Sequence, residues 1–115
     1  MILIGLKNCS NCREIEKILK SKNIEYEYRE IDKDTPAAEE LKGLHKKSGL
    51  PIDKFFNTAG QVYKSLGLKD KISKMTDEEK YKNLSSDGML IKRPILVTKD
   101  KVIVGNDVKG YLEGI

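Results

Sequence analysis

Six residues near the N-terminus, Asn8-Cys9-Ser10-Asn11-Cys12-Arg13, constrain this chain more than any other stretch. They stand between a short apolar run, Ile2-Leu3-Ile4-Gly5-Leu6, and a segment whose apolar residues Ile15, Ile18 and Leu19 recur at helical spacing. A strand feeding a helix through a C-x-x-C turn puts the first thiol at the helix N-terminus. There the free backbone N–H groups and the positive end of the helix dipole favour a thiolate over a thiol. The second thiol falls on the first turn, on the face of the apolar residues, and leans toward the core. One thiol is presented and the other is held within reach of it, an arrangement suited to thiol–disulfide exchange.

The same spacing makes half of a zinc site, and two small buried cysteines are a third reading. Zinc needs further ligands, and the chain has two cysteines in all and one histidine, His45, in a lysine-rich segment. A C-x-x-C directly after a first strand in a βαβ pattern favours the redox reading, with no metal and no cofactor expected.

Length bounds the rest. The 115 residues fit one domain with a single modest core. Lys and Arg number 22 and Asp and Glu 18, a net charge of +4, and the two signs are interleaved rather than blocked. A solvated mixed surface is expected, with no direct contact to nucleic acid. The apolar run at the N-terminus lacks a basic lead-in and is too short for a signal peptide or a membrane span. Both cysteines fall in one motif, so no framework of structural disulfides exists and a cytoplasmic setting is expected.

Taken in order, Ile2–Leu6 predicts a first strand and Ser10–Ser21 a helix, with Glu16 and Lys20 paired on its wet face. Ile24 to Arg29 alternates apolar and charged residues, a half-buried strand in which Tyr26 and Tyr28 pack. The helix between these strands makes them parallel. Thr35-Pro36 opens a helix over 37–47 with Leu41 and Leu44 inward and His45, Lys42, Lys46 and Lys47 on a solvated face, and Ser48-Gly49-Leu50-Pro51 ends it. Ile52 to Phe56 is one short turn; Val62, Tyr63 and Leu66 mark another short helix closed by Gly67. Thr76-Asp77-Glu78-Glu79 is a capping box for a helix reaching Ser85. After Asp87-Gly88 turns the chain, Ile95-Leu96-Val97 and Lys101-Val102-Ile103-Val104 form an antiparallel hairpin, and Asn106 caps a last helix carrying Val108, Tyr111 and Leu112. The pattern is βαβ, a helical insertion over about 35–88, then ββα. It predicts an α/β fold, a four-stranded mixed sheet flanked by helices with an inserted helical lobe, within one domain over residues 1–115.

Four stretches together resemble the ArsC/Spx family. They are N-C-x-x-C-R (Asn8 to Arg13), F-F-N-T-x-G-x-x-Y-x-x-L-G-L (Phe55 to Leu68), D-G-M-L-I-K-R-P-I-L-V (Asp87 to Val97) and Val104-Gly105. The family comprises glutaredoxin-like arsenate reductases and relatives that regulate transcription under thiol stress. The resemblance implies a thioredoxin-like, glutaredoxin-like fold, with Cys9 as nucleophile and Cys12 as the resolving thiol of Spx-type members. It also implies that Arg93 lies beside the site and that Pro94 is cis. Arsenate reductases of the glutaredoxin-dependent type hold the oxyanion with three arginines, matched here by Arg93, Asn57 and Asn106. Asparagine donates hydrogen bonds but lacks the charged fork, so weak arsenate turnover is expected. A C-x5-R phosphatase loop is absent, since Ile15 and Ile18 stand six residues after the cysteines.

Two uses of the thiol pair follow from the resemblance. One is a cytoplasmic thiol–disulfide oxidoreductase of arsenate-reductase type, recharged by glutathione, glutaredoxin or a thioredoxin system. The other is an Spx-like regulator that docks on RNA polymerase and uses the pair as a switch.

Overall fold

The computed structural model describes residues 1 to 115. Four strands form one sheet: β1 (Ile2–Gly5), β2 (Glu27–Glu30), β3 (Ile95–Val97) and β4 (Val102–Val104), in the order β2-β1-β3-β4. β1 and β2 run parallel, joined through helix α1 (Ser10–Ser21); β1 pairs antiparallel with β3, and β3 with β4. The mixed sheet predicted from the pattern is therefore present.

Alternation along the central strands sends side chains to two cores. Leu3 and its register partner Leu96 face α1 and the last helix, α6 (Asp107–Glu113), where Ile15, Leu19, Val108 and Leu112 complete a buried cluster. Ile4 and its partner Ile95 face the opposite side. There they meet a larger cluster drawn mainly from the segment between β2 and β3, including Leu41, Phe55, Tyr81, Leu84 and Leu90. With both faces covered, the central strands are apolar throughout, as a sheet between helical layers requires. Each fully buried Leu or Ile contributes about 1.5–3 kcal/mol by leaving water.

Between β2 and β3 the chain builds α2 (Ala38–Ser48), a 3₁₀ turn (Ile52–Phe55), α3 (Gln61–Ser65), α4 (Leu68–Lys71) and α5 (Asp77–Ser86). The capping box at the start of α5 is formed: Thr76 Oγ1 accepts from the Glu79 N–H at 3.2 Å and Glu79 Oε1 accepts from the Thr76 N–H at 3.2 Å. Two backbone bonds tie the lobe to the segment that leads into β3, Asn57 N–H to Leu90 O at 2.8 Å and Lys92 N–H to Phe55 O at 2.7 Å. No helix is long and apolar enough to cross a membrane.

Several local expectations are corrected. β2 begins at Glu27 rather than Ile24, because Lys22, Asn23 and Ile24 still bond back to α1 and the ladder opens only where the Glu27 N–H meets Met1 O. α4 has no counterpart in the sequence reading; its Leu-Lys-Asp-Lys carries one buried apolar residue, Leu68, and no period. Leu66 is exposed, whereas Leu41 and Leu44 both turn inward as expected, Leu41 fully buried and Leu44 partly buried against the same core. Glu16 does not pair with Lys20 but accepts from the Tyr26 hydroxyl at 2.6 Å. His45 is not on a solvated face: its Nδ1 lies 2.7 Å from Tyr81 Oη and its ring packs edge-on to Phe55, between α2 and α5. Asn106 precedes α6 but makes no side-chain cap bond.

One glycine is required by close approach. A Cβ on Gly88 would lie 2.1 Å from Ile31 O and 2.8 Å from Ile31 C, where backbone cannot yield. Gly43, exposed within α2, has nothing within 4 Å of the same position. Gly88→Ala is expected to destabilise the fold by about 3 kcal/mol, whereas Gly43→Ala stabilises it by about 0.5–1 kcal/mol. Urea unfolding of the two variants against the parent chain measures both, and equal midpoints for all three proteins would refute the contrast.

Candidate functional site

The turn from β1 into α1 positions the thiols. Cys9 sits at the N-cap of α1 in extended conformation, φ −91° and ψ 120°, and its carbonyl accepts the first helical bond, from Arg13 N–H at 3.0 Å. Arg13 also secures the loop before it: its Nε donates to Lys7 O at 2.9 Å and its Nη2 to Asn8 Oδ1 at 3.4 Å. Cys9 is half-buried and Cys12 is fully buried, and both are free thiols.

The two sulfurs sit in unlike surroundings. Partial burial acts to raise the Cys9 thiol, but the Cys12 thiol donating to it, the N–H groups of Cys12 and Asn11 and the nearby Arg93 charge outweigh that, so Cys9 lies below the ordinary thiol value. Burial, followed by its bond to Cys9, pushes Cys12 up to about 12. Of the two, Cys9 is therefore the sulfur that takes up negative charge more readily.

Gly5 makes room for this. A Cβ there would lie 2.7 Å from Cys12 Sγ and 3.0 Å from Tyr28 Oη, so α1 and β2 both reach into the space the glycine leaves open. A glycine inside a strand is the sequence sign of such an approach. Tyr28 packs against the α1-side cluster, as the sequence suggested, and in addition brings its hydroxyl to the space over Gly5 that Cys12 Sγ also borders.

Arg93 arrives from the other side of the sheet's end. The Arg93–Pro94 peptide is cis, as the resemblance implied. Arg93 Nη1 donates to Ile91 O at 3.2 Å and Met89 O at 3.4 Å, and its charge lowers both thiols. Asn57 reaches the same carbonyl, with Nδ2 at 3.5 Å from Met89 O, because residues 55–57 pair with 90–92. Asn106 lies apart from that bond network, exposed. It lines a small cavity with Asn11, Glu14, Pro94, Gly105 and Lys109, across which Lys109 Nζ and Glu14 Oε1 pair at 2.7 Å. Cys9, Cys12, Arg93 and Pro94 thus share one end of the sheet, Asn57 joins them through Met89, and Asn106 stands at the rim.

Comparison with known proteins places this arrangement. The chain is 45% identical over 97 residues to the protein YusI of Bacillus subtilis, covering 84% of this chain and 82% of YusI. It is 35% identical over 98 residues to the regulatory protein MgsR of the same organism, covering 85% and 76% of the two chains. The solved structure of an arsenate reductase from Vibrio cholerae superposes with a TM-score of 0.88 at 26% identity, over 99% of this chain and 96% of that one. The mixed sheet with helices on both faces is the thioredoxin-like fold of these neighbours. A family model described as the ArsC family matches residues 4–113, nearly the full length, and the chain belongs to that family.

Proposed function

We propose that the chain is a thiol–disulfide redox protein in which Cys9 is the attacking thiolate and Cys12 the resolving thiol. The observation that carries this reading is the asymmetry of the pair: a half-buried thiol held below its ordinary value beside a fully buried one pushed up to about 12. Cys9 thiolate attacks a disulfide sulfur of the substrate, forming a mixed disulfide and releasing a thiolate. Cys12 then gives up its proton to water and attacks Cys9 Sγ, which releases the second substrate thiolate and leaves a Cys9–Cys12 disulfide. An external thiol, low-molecular-weight or protein-borne, returns the pair to the reduced state. Arg93 stabilises the charge on Cys9, and Pro94 and Asn106 line a small cavity with Asn11 of the C-x-x-C turn.

Arsenate is a poor fit to this site. A polyanion and its cysteine adduct need charged, preorganised donors. Arg93 and the start of α1 supply part of that need, but Asn57 and Asn106 are neutral, and Asn57 is already engaged with Met89 O.

The similarity to a protein named as regulatory supports a regulatory use of the chain; on the Spx-type reading the disulfide would then be a switch and RNA polymerase the partner. A pull-down from lysate with and without a thiol oxidant, read by mass spectrometry, separates the two. Redox-dependent retention of RNA polymerase favours the regulator, and trapped disulfide-linked substrates favour the oxidoreductase.

Iodoacetamide alkylation against pH tests the roles. Cys9, in the Cys12→Ser variant, should react through a titration below that of a free thiol, and Cys12, in Cys9→Ser, slowly until strongly alkaline pH; a faster Cys12 at neutral pH reverses the assignment. Mild oxidation of the parent chain should remove about 2 Da, two hydrogens for one S–S bond, with an unchanged far-UV spectrum, and intermolecular dimers alone would remove Cys12 from the cycle. Reduction of a small disulfide should be measurable, while arsenate reduction with glutathione and glutaredoxin stays weak. Each missing charged donor is worth about 2–4 kcal/mol, so the double change Asn57→Arg with Asn106→Arg should raise arsenate turnover; robust turnover by the parent chain would show that the arginine count is the wrong criterion.

A further inference from the structure

The exchange cycle leaves one group beside the thiols unused. The Tyr28 hydroxyl is buried and has no hydrogen-bond partner, although buried tyrosine hydroxyls ordinarily find one. Its position is fixed by the sheet: Tyr28 pairs in register with Leu3, which turns it to the α1 face, where it reaches over Gly5 toward Cys12. The same open space over Gly5 is bordered by the Cys12 sulfur. The nearby carboxylate, Glu16, is taken by the Tyr26 hydroxyl at 2.6 Å. A neutral thiol is a feeble acceptor, while a thiolate is a strong, charged one.

We propose that Tyr28 is the thiolate-binding residue of Cys12, its hydroxyl donating to the Cys12 sulfur when that sulfur carries negative charge and left without an acceptor while Cys12 is a thiol. The proposal rests on the redox reading above. When an external thiolate attacks Cys9 Sγ of the disulfide, a bond forms between the reductant sulfur and Cys9 and the Cys9–Cys12 bond breaks. The electron pair leaves on Cys12 Sγ, which accepts from Tyr28 Oη until water supplies a proton. In the opposite direction Cys12 loses its proton to water, is held as a thiolate by Tyr28, and attacks Cys9 Sγ in the mixed disulfide, expelling the substrate thiolate. Burial keeps Cys12 neutral at rest, so the contact strengthens only as charge develops, the condition under which a donor accelerates a step rather than merely tightening the resting state.

Tyr28→Phe removes the hydroxyl and keeps the ring. Three measurements decide: the rate at which dithiothreitol reduces the Cys9–Cys12 disulfide, the thermal midpoint of the reduced protein, and the titration of Cys12 followed by its ¹³Cβ shift in Cys9→Ser with and without Tyr28→Phe. The expected result is reduction slower by about tenfold, one unit on the Cys12 titration, with a thermal midpoint unchanged or raised because an unpartnered polar group has gone. Equal reduction rates with superimposable titrations overturn the proposal. Slower reduction with a lowered midpoint and an unshifted titration also overturns it, since that is the signature of a packing role. If the parent chain forms no Cys9–Cys12 disulfide, the redox reading fails on its own, and the titration in the Cys9→Ser background still decides for Tyr28 by its shift or against it by the lack of one.

Discussion

A side chain on Gly5 would bring its first carbon within 2.7 Å of the Cys12 sulfur, so β1 can carry no other residue there while α1 begins where it does. That approach is what buries Cys12 completely while leaving Cys9, three residues earlier, at the open N-cap. Burial and the helix terminus then act on the two sulfurs in opposite senses, disfavouring charge on one and favouring it on the other. The chemistry of the pair is thus a property of the packing distance between one strand and one helix.

The rest of the fold serves to hold that distance and to bring a cation to it. Leu3, Leu96, Ile15, Leu19, Val108 and Leu112 press α1 and α6 onto one face of the sheet. On the other face, the pairing of residues 55–57 with 90–92 sets the path into Arg93 and so the place from which its guanidinium acts on both thiols. The helical lobe, remote in sequence from Cys9, reaches the site through those few backbone bonds.

Much of this was legible in the sequence, because period and punctuation carried it. The strand–C-x-x-C–helix start, the Thr76 capping box and the β3–β4 hairpin each rest on residues within a few positions of one another, and each is present. What was not legible depends on partners far along the chain. His45 meets Tyr81, 36 residues away, and so leaves the wet face its lysine neighbours suggested. Tyr26 captures Glu16 from across the α1–β2 turn and prevents a local pair with Lys20. Tyr28 read as ordinary strand packing because nothing in its own stretch points to a sulfur; the clue was Gly5, in a different strand. Asn106 has the residue type of a cap but a helical backbone, φ −64° and ψ −21°, that does not turn its amide onto the N–H groups of α6.

Gly88 packs directly on the Ile31 carbonyl, so the chain leaves the sheet after β2 and comes back to it at nearly the same point. The helical lobe is therefore a closed excursion whose entrance and exit touch, more like a pendant than a bridge. The separation between its ends is held by that contact and by β1, which pairs with both β2 and β3. Lengthening such an excursion twofold adds only about 0.6 kcal/mol of closure entropy. Residues can be gained or lost in the exposed turns between α3, α4 and α5 without displacing β2 from β3, so long as Tyr63, Leu68, Tyr81 and Leu84 keep their places in the core, and the lobe's outer outline can change while the two sulfurs stay where they are.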